Sequence, residues 1–141
     1  MIRAAHSYST QTEWHQVSSE LIAGILEATS DVNVGFLYLT DHLSQHAEDI
    51  RQRIYQELNL KVLSGTVGLG VCCTGFEFMD QGAAVLLALK LPENSFTEIW
   101  LPPEAAPEPL YELEEFPMGI VHSDPGSLSR IIAPQFLQNG F

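Results

Sequence analysis

A chain of 141 residues with 45% apolar side chains has the size of one ordinary domain and can bury a core without disulfide or metal staples. Its 18 acidic against 6 basic side chains give a net charge of −12. That balance opposes a nucleic acid duplex or an anionic bilayer, both of which are gripped by clustered Lys and Arg, so no nucleic acid and no membrane partner is expected.

Taken in chain order, residues 2–8 form a short apolar stretch with β-branched and aromatic members, acceptable as a first strand. Thr10, Gln11, Thr12 and Glu13 then have the spacing of a capping box, in which hydroxyl and carboxylate reach the unpaired amides of a helix start. Trp14, Val17, Leu21 and Ile25 fall on one helical stripe, with Leu26 at its edge, which predicts a helix over 11–28. Ser30 and Asp31 break it. Residues 32–39 are nearly unbroken apolar, the pattern of a strand buried on both faces. Two such strands around one amphipathic helix imply a βαβ unit with a right-handed crossover.

A second helix is predicted over 44–58, with Leu43, Ala47, Ile50, Ile54 and Leu58 inward. Glu48, Asp49, Arg51, Arg53 and Glu57 take its solvated side, with Asp49 and Arg53 four apart as a favourable pair. Asn59 is a natural left-handed stop. Residues 61–71 read as a third strand. Phe76, Glu77 and Phe78 alternate, Asp80 to Gly82 has turn chemistry, and 83–91 is again apolar, which predicts an antiparallel hairpin.

From Pro92 the composition changes. Six of the eight prolines lie between Pro92 and Pro117, and no Lys or Arg stands between Lys90 and Arg130. A short strand is allowed at 96–101, and 102–115 is expected to be an acidic, Pro-rich loop. Residues 118–122 resume as a strand, and 128–137 has helical spacing interrupted by Pro134. The fold class expected is thus a single α/β domain over 1–141. Its sheet is mixed but largely parallel, flanked by helices, with an antiparallel hairpin.

Ligands of α/β sheets collect beyond the carboxyl ends of the strands. Two polar triplets hold that position in the predicted order: Thr40, Asp41 and His42, and later His122, Ser123 and Asp124. If their strands are neighbours, both face one crevice with hydroxyl, imidazole and carboxylate groups. Each triplet also has a plainer use, since Asp41 or Ser44 can cap the following helix and Asp124 can set a turn before Pro125. Gly65, Gly68, Gly70 and Gly75 suggest close backbone approach or a bulged strand, and Gly68 and Gly70 are counted with the crevice. The glycine spacing is neither a dinucleotide fingerprint nor a Walker loop, and no cofactor is expected. His42 and His46 stand four apart, but Leu43 occupies the place where the zinc protease pattern has Glu, and no metal is expected. Cys72 and Cys73 offer a reactive thiol or, more blandly, two small hydrophobes. Their adjacency rules out a disulfide framework and fits a reducing compartment. Met1 to His6 lacks the apolar core of a signal peptide, so a cytoplasmic location is expected.

Residues 34–42 (VGFLYLTDH), 64–68 (SGTVG), 85–88 (VLLA) and 119–125 (GIVHSDP) together resemble the N-terminal part of the FIST family, named for F-box and intracellular signal transduction proteins. The resemblance implies a cytoplasmic sensory or recognition module that binds a small ligand such as an amino acid, and it supplies no catalytic residues. It also implies a longer unit with a second FIST region, and the large apolar groups Leu128, Ile131, Ile132, Phe136 and Leu137 point to self-association through the C-terminal segment as the other partner. The alternatives from the residues themselves are a small cysteine-dependent hydrolase or transferase, and an acidic protein-interaction scaffold.

Overall fold

The computed structural model describes residues 3–98, 100 and 120–122. The chain gathers into two compact units, Met1–Glu93 and Asn94–Phe141. The division falls where the Pro-rich, Lys-poor composition begins.

In the first unit β1 (Arg3–Ser9) leads to α1 (Trp14–Ala28), then β2 (Val34–Thr40), a 3-10 helix (Asp41–His46) and α2 (Ala47–Glu57). β3 (Val62–Gly68), β4 (Gly70–Cys73), β5 (Phe76–Met79) and β6 (Ala84–Lys90) follow. Content is mixed α/β as the apolar runs require. The main sheet has four strands in the order β1-β6-β2-β3, and β4 and β5 make a separate two-stranded sheet.

That order corrects the expected topology. Among the described residues only β2 and β3 pair in parallel, while β6 pairs antiparallel with both β1 and β2. The sheet is therefore mixed with antiparallel pairs in the majority. β1 and β2 still run the same way on either side of α1, but β6 has entered between them. β6 is small and apolar (Ala84, Leu86 and Ala88 are all 0% exposed), so it tolerates the most crowded position in the sheet. The predicted hairpin is corrected with it, since β5 pairs β4 rather than β6. The predicted third strand, 61–71, breaks at Leu69 into β3 and β4. At Gly70 a side chain would collide with the Met79 sulfur, which keeps the two hairpin strands close.

Both helices bury their stripes against one sheet face. Val17, Leu21 and Ile25 of α1 and Ile50 and Ile54 of α2 join Ala5, Leu37, Leu39, Leu63, Leu86 and Ala88 in one buried cluster. α1 lies tight on β1 because Gly24 has no side chain to strike Ser7, whose hydroxyl donates to the Leu21 carbonyl at 2.8 Å. The capping box does not form. Helix α1 starts at Trp14 with Glu13 at its cap and no side-chain cap bond, which puts the carboxylate three places too early to reach back. The chain entering α1 is held instead by Glu20, which accepts from Ser9 Oγ and Gln11 Nε2, both at 2.7 Å.

Helix α2 is shorter than predicted, because the 3-10 segment replaces its first turns. Asn59 stops the helix with φ of 50°, in the left-handed region. Arg53 does not take Asp49 as its partner. Its Nε donates to Glu57 at 2.7 Å, and its Nη1 crosses to the His15 carbonyl at 2.9 Å and to Ser18 Oγ at 3.1 Å, tying α2 to α1. Asn33, buried, extends the β2–β6 ladder by clamping the Leu91 backbone at both its N–H and its carbonyl.

The other sheet face is covered by the β4–β5 hairpin. Val71 and Phe78 pack on Val85 and Ala83, with Tyr38 and Cys73 alongside, and Tyr8 meets the rings of Phe76 and Phe78 at 5.0 and 5.4 Å.

In the second unit the described residues carry no helix or strand. The predicted strand at 118–122 is thus absent at 120–122, where Ile120 and Val121 turn outward and are exposed at 52% and 54%. Residues 96–98 and 100 are likewise not a strand. The 102–115 loop and the 128–137 helix lie outside the described residues. Among the described residues no helix is long and apolar enough to cross a membrane.

Candidate functional site

The carboxyl ends of the one parallel pair do bring part of the predicted constellation together. Thr40 and Gly68 are register partners at the ends of β2 and β3, Asp41 and His42 follow Thr40 directly, and Gly70 opens β4 two residues beyond Gly68. Asp41 Oδ1 and His42 Nδ1 pair at 3.0 Å, with each side chain about half exposed (54% and 50%).

Thr40 has a different employment from the one its position suggested. It is 0% exposed, and its hydroxyl accepts from the Ala83 N–H at 2.9 Å while donating to the Ala83 carbonyl at 3.4 Å. The Thr40 N–H also donates to that carbonyl at 2.9 Å. Both backbone groups at the start of β6 are thereby satisfied, and the hydroxyl faces protein on every side. Gly70 is fixed by hairpin packing, whereas a side chain at Gly68 would meet only ordinary contacts.

Ser123 and Asp124 lie outside the described residues. His122 is half-buried, and burial pushes its pKa below the usual imidazole value. Cys72 is exposed and Cys73 half-buried, and both are free. Burial, then the neighbouring Cys72, pushes the Cys73 thiol up, the opposite of what a thiolate nucleophile requires. His46 turns its Nδ1 toward Asp49 at 3.4 Å and stacks on Trp14 with ring centroids 6.3 Å apart. His42 and His46 thus each have a carboxylate of their own. Among the described residues no three His, Cys, Asp or Glu side chains converge as metal ligands would.

A concavity lies one turn further along. A cleft of about 320 Å³ opens between α2 with its 3-10 entry and the end of the β2–β3 pair. Leu37 and Leu39 form its floor, Ser44, Gln45, Ala47, Glu48 and Arg51 one wall, and residues 64–67 the other. Its origin is local. Alternation along β3 puts Leu63, Gly65 and Val67 on the helix-covered face, and Gly65 adds no side chain to the cleft wall. No other residue fits, because a side chain at 65 would run into the Leu37 carbonyl.

The rim is charged but balanced. Arg51 grips Glu48 through Nε to Oε2 and Nη2 to Oε1, both at 2.8 Å, and Gln52 Nε2 adds 2.9 Å to Oε1. These bonds, Arg51 first and Gln52 second, hold the Glu48 carboxyl down at about 2. None of Thr40, Asp41, His42, Gly68 or Gly70 lines the cleft. The sequence placed Glu48 and Arg51 on a solvated helix face. The signal available for the cleft was the pairing of their three-residue spacing with a glycine in the strand that α2 packs against.

Compared with known proteins, the chain matches no family model and no curated protein. The FIST resemblance therefore rests on its four sequence blocks.

Proposed function

We propose that this chain is a small-ligand recognition module, of the intracellular sensory kind that the FIST resemblance implies, and that its ligand sits in the cleft between α2 and β3. The observation that carries the reading is the cleft itself: an apolar floor of Leu37 and Leu39 under a polar rim of Ser44, Gln45, Glu48 and Arg51. Its volume of about 320 Å³ is at the small end of ligand pockets, which run from roughly 300 to 1,000 Å³. A metabolite of amino-acid size suits it. Two free thiols side by side suit the reducing interior of a cell. The raised Cys73 thiol counts against the cysteine-dependent alternative at that residue.

The test is an amide-resolved NMR screen of the full chain against amino acids and other small metabolites. Binding should move the resonances of residues 44–51 and 64–67 and leave α1 unmoved. A saturating hit at 100 times its Kd should also stabilise the fold by about 2.7 kcal/mol. Hits that shift other regions and leave both walls of the cleft still would overturn the site.

A further inference from the structure

We propose that the cleft selects a small organic cation, a primary amine on a short apolar tail, and draws no benefit from a carboxylate on that ligand. The proposal rests on the ligand-binding reading above and names its ligand class.

Hydrogen-bond capacity at Glu48 is the first argument. A carboxylate has about four acceptor positions, two on each oxygen. Oε1 is filled by Arg51 Nη2 and Gln52 Nε2, while among the described residues Oε2 accepts Arg51 Nε alone. One acceptor position on Oε2 is left, on a side chain 61% exposed at the rim. An ammonium brings three donors and no acceptor. It can place one on Oε2 and the others on the Ser44 hydroxyl, the Gln45 amide oxygen or water.

The guanidinium argues the same way from the other side. Arg51 meets Glu48 fork to fork, and a ligand carboxylate arriving there must either displace Glu48 or stand beside a like charge. A free amino acid would thus be held by its ammonium, and its carboxylate would be tolerated at best.

The wider field favours the cation as well. All five Lys and Arg of residues 3–93 lie within 4.0 Å of a carboxylate: Arg3 and Lys90 with Asp31, Arg51 with Glu48, Arg53 with Glu57, and Lys61 with Glu93. The same span carries eleven Asp and Glu. An excess of carboxylates, with every cation beside one, raises the local concentration of cations and repels anions. The tail would lie over Leu37, Leu39 and Val67, whose apolar surface has no use for a second charge.

A matched series tests this on the full chain: isopentylamine, leucine and isocaproate share one branched tail and differ in carrying ammonium, both charges or carboxylate. Isopentylamine should bind as tightly as leucine or tighter, and about tenfold tighter than isocaproate, by amide NMR titration at low salt. Because the Glu48 carboxyl sits at about 2, the amine affinity should be flat from pH 8 to pH 5. Glu48→Gln should bring amine and carboxylate within about twofold of each other, with circular dichroism checking that the variant is folded. Isocaproate binding as well as isopentylamine, or the preference surviving Glu48→Gln, would overturn the ligand class while leaving the site standing. No shift of residues 44–51 or 64–67 with any of the three would remove the site and the ligand class together.

Discussion

The two faces of the sheet are made by the same strands yet are finished to different standards. On the helix-covered face Leu21, Ile25, Ile50, Ile54 and Leu86 are each 0% exposed. On the hairpin face Val85 and Phe78 retain 5% and 7%, and Tyr8, Phe76 and Met79 are exposed at 40%, 52% and 53%. Two long amphipathic helices can seal a sheet. A two-stranded hairpin is marginal by itself and covers only what its few inward residues reach. Stability should therefore live on the helix face, with the hairpin following it.

Adjacent residues of β6 test that difference most directly, because Leu86 and Val85 point to opposite faces. Leu86→Ala should cost about 2–5 kcal/mol and Val85→Ala about 1–2 kcal/mol, measured by urea denaturation. Equal losses would mean that the hairpin face is as firmly packed as the other. Thr40→Val comes next. It keeps the shape of the side chain but strips the Ala83 N–H and carbonyl of their hydroxyl partner, at an expected cost of about 1–3 kcal/mol. A neutral result would show that the β6 start is held by the hairpin instead.

Phe76→Ala should cost about 1 kcal/mol or less, since the ring is half exposed and contributes mainly its contact with Tyr8. Hydrogen exchange should quicken in β4 and β5 and stay slow in α1. The smallest effect is expected at the cleft rim. Glu48→Gln should change stability by under about 1 kcal/mol, because the pair it breaks is solvent-exposed. Its pH signature has a fixed sign. The Glu48 carboxyl falls from 4.5 to about 2 on folding, so its contribution is present above pH 4.5 and is lost as pH falls through 2. The native chain should show a small acid-side loss in that window that the variant lacks.

The same contrast separates what a linear reading of the site can find. Thr40, Asp41 and His42 were legible as a polar triplet at a strand end, and they are there. Their side chains were not legible: Thr40 turns inward to Ala83, forty-three residues away in sequence, and nothing local encodes that choice. Glu48 and Arg51 looked like ordinary surface charge because a helix wheel shows only which residues leave the core. It does not show what stands opposite. Gly65 was legible as a point of close backbone approach, but its partner in that approach, the Leu37 carbonyl of β2, was not.

What the sequence determined by itself is the set of elements bounded by short-range physics. The apolar stripe of α1, the left-handed stop at Asn59, the buried run of β2 and the change of composition at Pro92 each follow from a few neighbouring residues. Strand order, partner choice and the cleft were decided only in three dimensions. An apolar strand such as β6 carries no label for its neighbours, and either direction of pairing satisfies its backbone. The decision fell to packing: small Ala84 and Ala88 with Leu86 fit between β1 and β2 beneath both helices, and that insertion made the sheet chiefly antiparallel. Arg53 likewise had acidic partners on its own helix, and the approach of α1 gave it the His15 carbonyl and Ser18 as well.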